Sequence, residues 1–117
     1  MPRFAPSLML VLALLGGCAT AGARPSLYEQ FGGRPGIEAL VEELLVRILD
    51  DERINRGFAE VDILNLNDRL VEQICVEVGG PCTYTGRSMA ESHAGLGLGE
   101  ADFNALVEDL VAAMDAR

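Results

Sequence analysis

Gly79-Gly80-Pro81-Cys82-Thr83-Tyr84-Thr85-Gly86-Arg87-Ser88-Met89-Ala90-Glu91-Ser92-His93 is the stretch on which the reading of this chain turns. Two adjacent glycines followed by a proline end a helix far more often than they cradle an anion. A short helical segment around Ser88 to His93 comes next, closed by Gly95 and Gly97. It carries the only histidine of the chain. Taken alone, a single histidine reads as a capping or surface residue.

Upstream of this stretch the periodicity is helical. Ile63, Leu66, Leu70, Val71, Ile74, Cys75 and Val78 recur at three- and four-residue steps and run into Gly79-Gly80. Ile37, Leu40, Val41, Leu44, Leu45 and Ile48 do the same and predict one apolar face of a helix of about four turns. Ser26-Leu27-Tyr28-Glu29 has the form of a capping box. It opens a short helix that stops at Gly32-Gly33, after which Pro35 suits a first helical turn. Asp50 to Arg56 is polar and predicts a short helical connector before Phe58. Downstream, Phe103, Leu106, Val107, Leu110, Val111 and Met114 predict one more amphipathic helix. No stretch alternates like a strand, and there is no internal repeat. The expected fold class is all-α, a few helices crossing around one core.

Composition narrows the function. The chain has 117 residues and a formal net charge of -9, with arginine as its only cation besides the single histidine. So acidic a chain repels phosphate backbones, which argues against nucleic acid as a partner. The N-terminus reads as an export signal. Arg3 supplies the positive start, and the apolar run from Leu8 to Leu15 is short for a membrane span. Leu15-Gly16-Gly17-Cys18 resembles a bacterial lipobox, with an ordinary signal peptide and an incidental cysteine as the alternative. The lipobox reading divides the chain into a signal peptide (1–17), a tether (18–25) and a folded domain (26–117). Cys18 would carry the lipid, and Ala19 after it points to the periplasmic side of the outer membrane. Cys75 and Cys82 flank a glycine-proline turn that could bring the sulfurs together, and an oxidising periplasm would keep such a disulfide. Two buried free thiols are the alternative. The spacing matches neither a zinc site nor covalent c-type haem attachment, since no Cys-x-x-Cys-His occurs.

The order of breaks carries a resemblance. Ser26-Leu27-Tyr28-Glu29-Gln30-Phe31-Gly32-Gly33, the Gly79-to-Met89 stretch, and Ala90-Glu91-Ser92-His93-Ala94-Gly95-Leu96-Gly97 resemble the corresponding segments of group I truncated haemoglobins. The likeness covers roughly Ser26 to Asp115. It implies a truncated globin, a two-on-two helical sandwich, with haem b as cofactor and dioxygen or another diatomic gas as ligand. Carried over by position, His93 falls on the proximal ligand of the haem iron. Phe58 falls on the phenylalanine packed on the haem face, Leu66 and Leu70 on the two distal positions, and Arg69 on a basic residue that pairs with a haem propionate. Met89, Leu98 and Phe103 fall on haem-lining positions.

Two departures follow from the same resemblance. Where the family places a distal tyrosine and a distal glutamine, this chain has Leu45 and Leu70. The distal pocket of Leu45, Leu66 and Leu70 therefore offers no hydrogen-bond donor. Gln73, one turn beyond Leu70, is either solvated or able to swing toward the iron. The family pattern also continues with another helix after the one starting near Glu100, so the expected sandwich is without its final helix. The implied function is a lipid-anchored, gas-binding haem globin that carries oxygen, senses it or removes nitric oxide with the help of a reductase of unknown identity. A helical lipoprotein without haem, acting as an interaction module, is the alternative. Gas binding without catalysis is the expectation, with nitric oxide dioxygenase activity as an alternative; peroxidase-like chemistry would want a polar distal group that the three leucines do not provide.

Overall fold

The computed structural model describes residues 24–117, so the signal segment and Cys18 lie outside the described residues. Five α-helices and a 3-10 turn follow one another: α1 (Leu27–Gln30), α2 (Gly33–Asp50), the 3-10 turn (Asn55–Phe58), α3 (Ile63–Glu77), α4 (Met89–His93) and α5 (Glu100–Asp115). Among the described residues there is no strand.

The local chemistry explains the boundaries. Ser26 caps α1 through a reciprocal box: Glu29 N donates to Ser26 Oγ at 3.1 Å, and Ser26 N donates to Glu29 Oε2 at 3.2 Å. Gly32 and Gly33 both take positive φ, +86° and +64°, which lets α2 start within two residues of α1. Ser88 and Asp62 cap α4 and α3, each accepting a backbone N–H at 3.1 Å from Glu91 and Asn65. Gly79 at φ +80° and the 2.8 Å bond from Gly80 N to Cys75 O end α3 in a left-handed glycine cap.

α2 is the hub. Ile37, Leu40, Val41, Leu44, Leu45 and Ile48 are all buried, the same six positions whose spacing predicted the face. α3 and α5 both pack on α2, as do α1 and the 3-10 turn. No comparably extensive contact joins α3 to α5 or fixes α4 to any helix. The contact with α5 differs from expectation. The residues that α5 buries are Ala105 and Ala113, while Phe103, Val107, Val111 and Met114 stay exposed. Leu106 and Leu110 pack partly buried against the core beside the two alanines, so the apolar face is narrower than its spacing predicted.

Beyond that contact, Arg53 ties the connector to both helices. It donates to Asp51 through Nε and Nη2 at 2.9 Å each, and to Glu108 of α5 at 2.6 Å. The start of α2 is equally constrained. A Cβ on Gly36 would run into the Phe31 carbonyl. Gly36→Ala is expected to destabilise the domain by about 1–3 kcal/mol, the usual cost of overpacking where the obstacle is backbone. Chemical denaturation followed by circular dichroism checks this; an unchanged midpoint contradicts it.

Candidate functional site

The site is built on α4, and α4 is an unusual platform. It has five residues, none of them buried. Its His93 ring is engaged on one side only: Nδ1 lies 2.6 Å from the carbonyl oxygen of Met89, one turn back. A carbonyl can only accept, so the proton sits on Nδ1 and Nε2 carries the free lone pair. Nε2 has no hydrogen-bond partner among the described residues. An exposed imidazole with a fixed tautomer and a free Nε2 is prepared to bind a metal.

α4 faces α3. The amide nitrogen of Gln73 lies 3.5 Å from the sulfur of Met89. Leu66, Leu70 and Gln73 are spaced four and three residues apart and share one face of α3. Gln73 is the member of that stripe that meets α4, while Leu66 and Leu70 pack against the core. An open hollow of about 220 Å³ marks one part of the gap, lined by Gln73, Val76, Glu77, Tyr84, Ser88 and Met89. Phe58, Leu66 and Leu70 are half-buried at the edge of the core, and Leu45 lies beneath them within it. Met89, Leu98 and Phe103 are 41%, 54% and 65% exposed. That is more large apolar surface than scattered exposed side chains usually supply, and Met89 shares its short helix with the imidazole.

Haem is a group of that shape and chemistry, a flat apolar plate whose iron takes one imidazole. The residues present fit it. They do not fit a bare ion, because among the described residues no cluster of three or more His, Cys, Asp and Glu side chains could hold one.

Arg69 stands differently from expectation. Its Nη2 pairs with Glu72 at 3.1 Å, and its Nε is buried without a partner. Its aliphatic part lies against Gly86, where a Cβ would approach Arg69 Cδ to 2.9 Å. The pair with Glu72 engages Nη2 alone. Gln73 is not solvated as the simpler expectation had it: it is half-buried and turned to Met89.

Sequence reading passed over the residues that fix the connection from α3 to α4, the strap of residues 79–88. Thr85 donates to Glu72 twice, from its backbone N and from Oγ1, each at 2.9 Å. The bond from the Thr85 N–H is the largest influence holding the Glu72 carboxyl below its usual range, with burial opposing it. Its contribution to stability is therefore present above the ordinary carboxylate range and fades as pH falls through the lowered value. Cys75 and Cys82 face each other with Cα atoms 6.0 Å apart. Gly80 must be glycine, since a Cβ there would meet Cys75 Sγ and the Tyr28 ring at 2.6 Å each. Tyr28 thus packs on the second Gly-Gly turn, while its hydroxyl accepts from Arg34 N beside the first, at 3.0 Å. The only advance signal for this strap was the Gly-Gly pairs themselves.

Comparison with known proteins agrees with this geometry. A family model described as bacterial-like globin matches residues 26–117. A group 1 truncated hemoglobin of Nostoc commune is 37% identical over 92 residues, covering 79% of this chain and 78% of that protein. One from Mycolicibacterium paratuberculosis is 33% identical over 91 residues, covering 78% and 67%. Among solved structures, truncated hemoglobin from Tetrahymena pyriformis in its Fe(III) form superposes with a TM-score of 0.75 at 29% identity, over 79% of each chain. The 2/2 hemoglobin from Synechococcus sp. PCC 7002, with covalently attached heme, gives 0.73 at 31% identity, covering 79% of this chain and 78% of that one.

Proposed function

Since this chain belongs to the bacterial-like globin family, as a group 1 truncated haemoglobin, we propose that it holds haem b through Nε2 of His93 and binds dioxygen or another diatomic gas on the opposite side of the iron. The observation that carries the reading is the 2.6 Å contact from His93 Nδ1 to Met89 O, which leaves Nε2 of an exposed ring as the free donor atom. Haem supplies an iron with one coordination position left open to gas. The chain's own residues do the rest. Phe58, Leu66, Leu70, Met89, Leu98 and Phe103 line the plate and exclude water. Leu45, Leu66 and Leu70 make the gas side apolar. The helical interaction module without haem receives no support from the comparisons. The test is the visible spectrum of the purified chain with one equivalent of added haem. A sharp Soret band with defined stoichiometry is expected; a spectrum of free haem overturns the reading.

Two further features belong to this proposal. Cys18 carries a lipid that holds the globin on the periplasmic side of the outer membrane, supported by the Leu15-to-Cys18 motif. Two acyl chains suffice for stable attachment where one would be marginal. Cys75 and Cys82 form a disulfide, supported by a Cα separation within the range such bonds span. So short a loop gives about 2–3 kcal/mol of stabilisation. One preparation checks both. Envelope fractionation is expected to find the wild type with membranes and Cys18→Ala in the soluble fraction, and non-reducing mass spectrometry to find the 75–82 pair oxidised. Identical fractionation of the two proteins removes the anchor, and two free thiols remove the bond.

A further inference from the structure

What decides where His93 stands is not α4 itself. None of its residues is buried, and the segment after it, residues 94–99, is exposed throughout. Apart from the single contact of Met89 with Gln73, its position is inherited from the strap that precedes it. The strap touches α3 at three places: the Gly79-Gly80 turn with Cys82 beside Cys75, the Gly86 backbone over Arg69, and Thr85 on Glu72. Thr85 is the last of these polar anchors before Ser88 caps α4. The bond from Tyr84 to the Arg87 carbonyl, at 2.7 Å, lies within the strap and ties it to nothing else.

Glu72 is well placed for the task. It is mostly buried, with 16% of its side chain exposed, and both carboxylate oxygens are engaged by Thr85. It lies one turn from Arg69 and one turn from Cys75, so the three anchors form a stripe on α3 beside the Leu66–Leu70–Gln73 stripe. One helix thus carries the proposed gas-side residues along one line and anchors the strap that leads to His93 along the next.

We propose that Glu72 is a positioning residue for the iron's histidine: by holding Thr85 it sets where α4, and with it His93, stands across the gap from α3. The inference rests on His93 being the haem ligand. Glu72 acts through Thr85 and the strap. The rival account is that Glu72 only neutralises Arg69, and the glutamine variant separates the two. Its amide can accept from Thr85 N and donate to Thr85 Oγ1, so it preserves the anchor while losing the charge.

The experiment loads the full chain with haem b and measures three things: transfer of haem to excess apomyoglobin, the iron–histidine stretching band in the ferrous Raman spectrum, and amide exchange over residues 85–93 without haem. Glu72→Ala is expected to release haem about tenfold faster, as befits the loss of a charge-assisted bond. It should also shift or broaden the iron–histidine band and speed exchange across 85–93, leaving α2 and α5 unchanged. Glu72→Gln should stay within about twofold of wild type. Thr85→Val added to Glu72→Ala should cost nothing more, because both act on one contact. Wild-type behaviour of Glu72→Ala overturns the proposal, and so does a Glu72→Gln as impaired as the alanine variant. If the wild type takes up no haem, the ligand reading fails by itself. Amide exchange then still judges the anchor, and an unchanged rate over 85–93 in Glu72→Ala overturns it.

Discussion

Replacing His93 by alanine removes specific haem binding from this chain. No second imidazole exists to take over, and the other residues lining the gap offer no nitrogen ligand of comparable strength. The expected result is loss of the Soret band of the protein-bound pigment, with recovery on adding imidazole at millimolar concentration. Recovery is the informative part. α4 is short and exposed, so deleting one ring does not collapse a core, and the cavity it leaves admits a free imidazole in the same place. A His93→Ala chain with a wild-type spectrum and no imidazole dependence contradicts the assignment of the ligand. His93→Gln is a useful companion, because it keeps bulk and polarity but not the donor strength of the ring.

The second large effect concerns how long oxygen stays. Oxygen held at ferrous haem draws electron density, and a donor in the pocket stabilises it by roughly 1.5–3 kcal/mol, or about one to two powers of ten in dissociation rate. Leu45 is 6% exposed and sits in the core, and Leu66 and Leu70 of α3 pack against that core. None can donate. The wild type is expected to release oxygen fast, to oxidise readily to the ferric form, and to prefer carbon monoxide, which is less polar when bound. Leu45→Tyr should slow oxygen release by about tenfold or more while changing carbon monoxide release little. Stopped-flow dissociation measurements decide the matter. Gln73 is the one local amide, and it is engaged with Met89. Slow release in the wild type, accelerated tenfold in Gln73→Ala, would identify it as a donor and end the apolar-pocket account.

How far the sequence alone reached depends on which force set each element. The six buried positions of α2 were legible because burial and helical period coincide there. The caps at Ser26 and the break at Gly79 were legible because they are local chemistry. α5 was legible as a helix, but only part of its face: Leu106 and Leu110 pack against the core as their spacing predicted, Ala105 and Ala113 are the fully buried positions, and Phe103, Val107, Val111 and Met114 stay exposed. On the site, His93 could be placed only through resemblance to a family, since one histidine has no pattern of its own. Arg69 was assigned to a propionate by position; its pair with Glu72, one turn along α3, had no advance signal beyond helical spacing. Glu72 and Thr85 are separated by a turn whose shape no periodicity encodes.

The exposed state of α4 has a consequence for the life of the protein in the cell. A helix of five residues with no buried side chain has little stability of its own and opens often. Cofactor that binds only the closed form adds free energy as RT ln(1 + [L]/Kd), so the fraction open at any moment falls as free cofactor rises. Proteases cut the open form. Limited proteolysis is therefore expected to cut haem-free protein first near residues 85–99 and to spare haem-loaded protein.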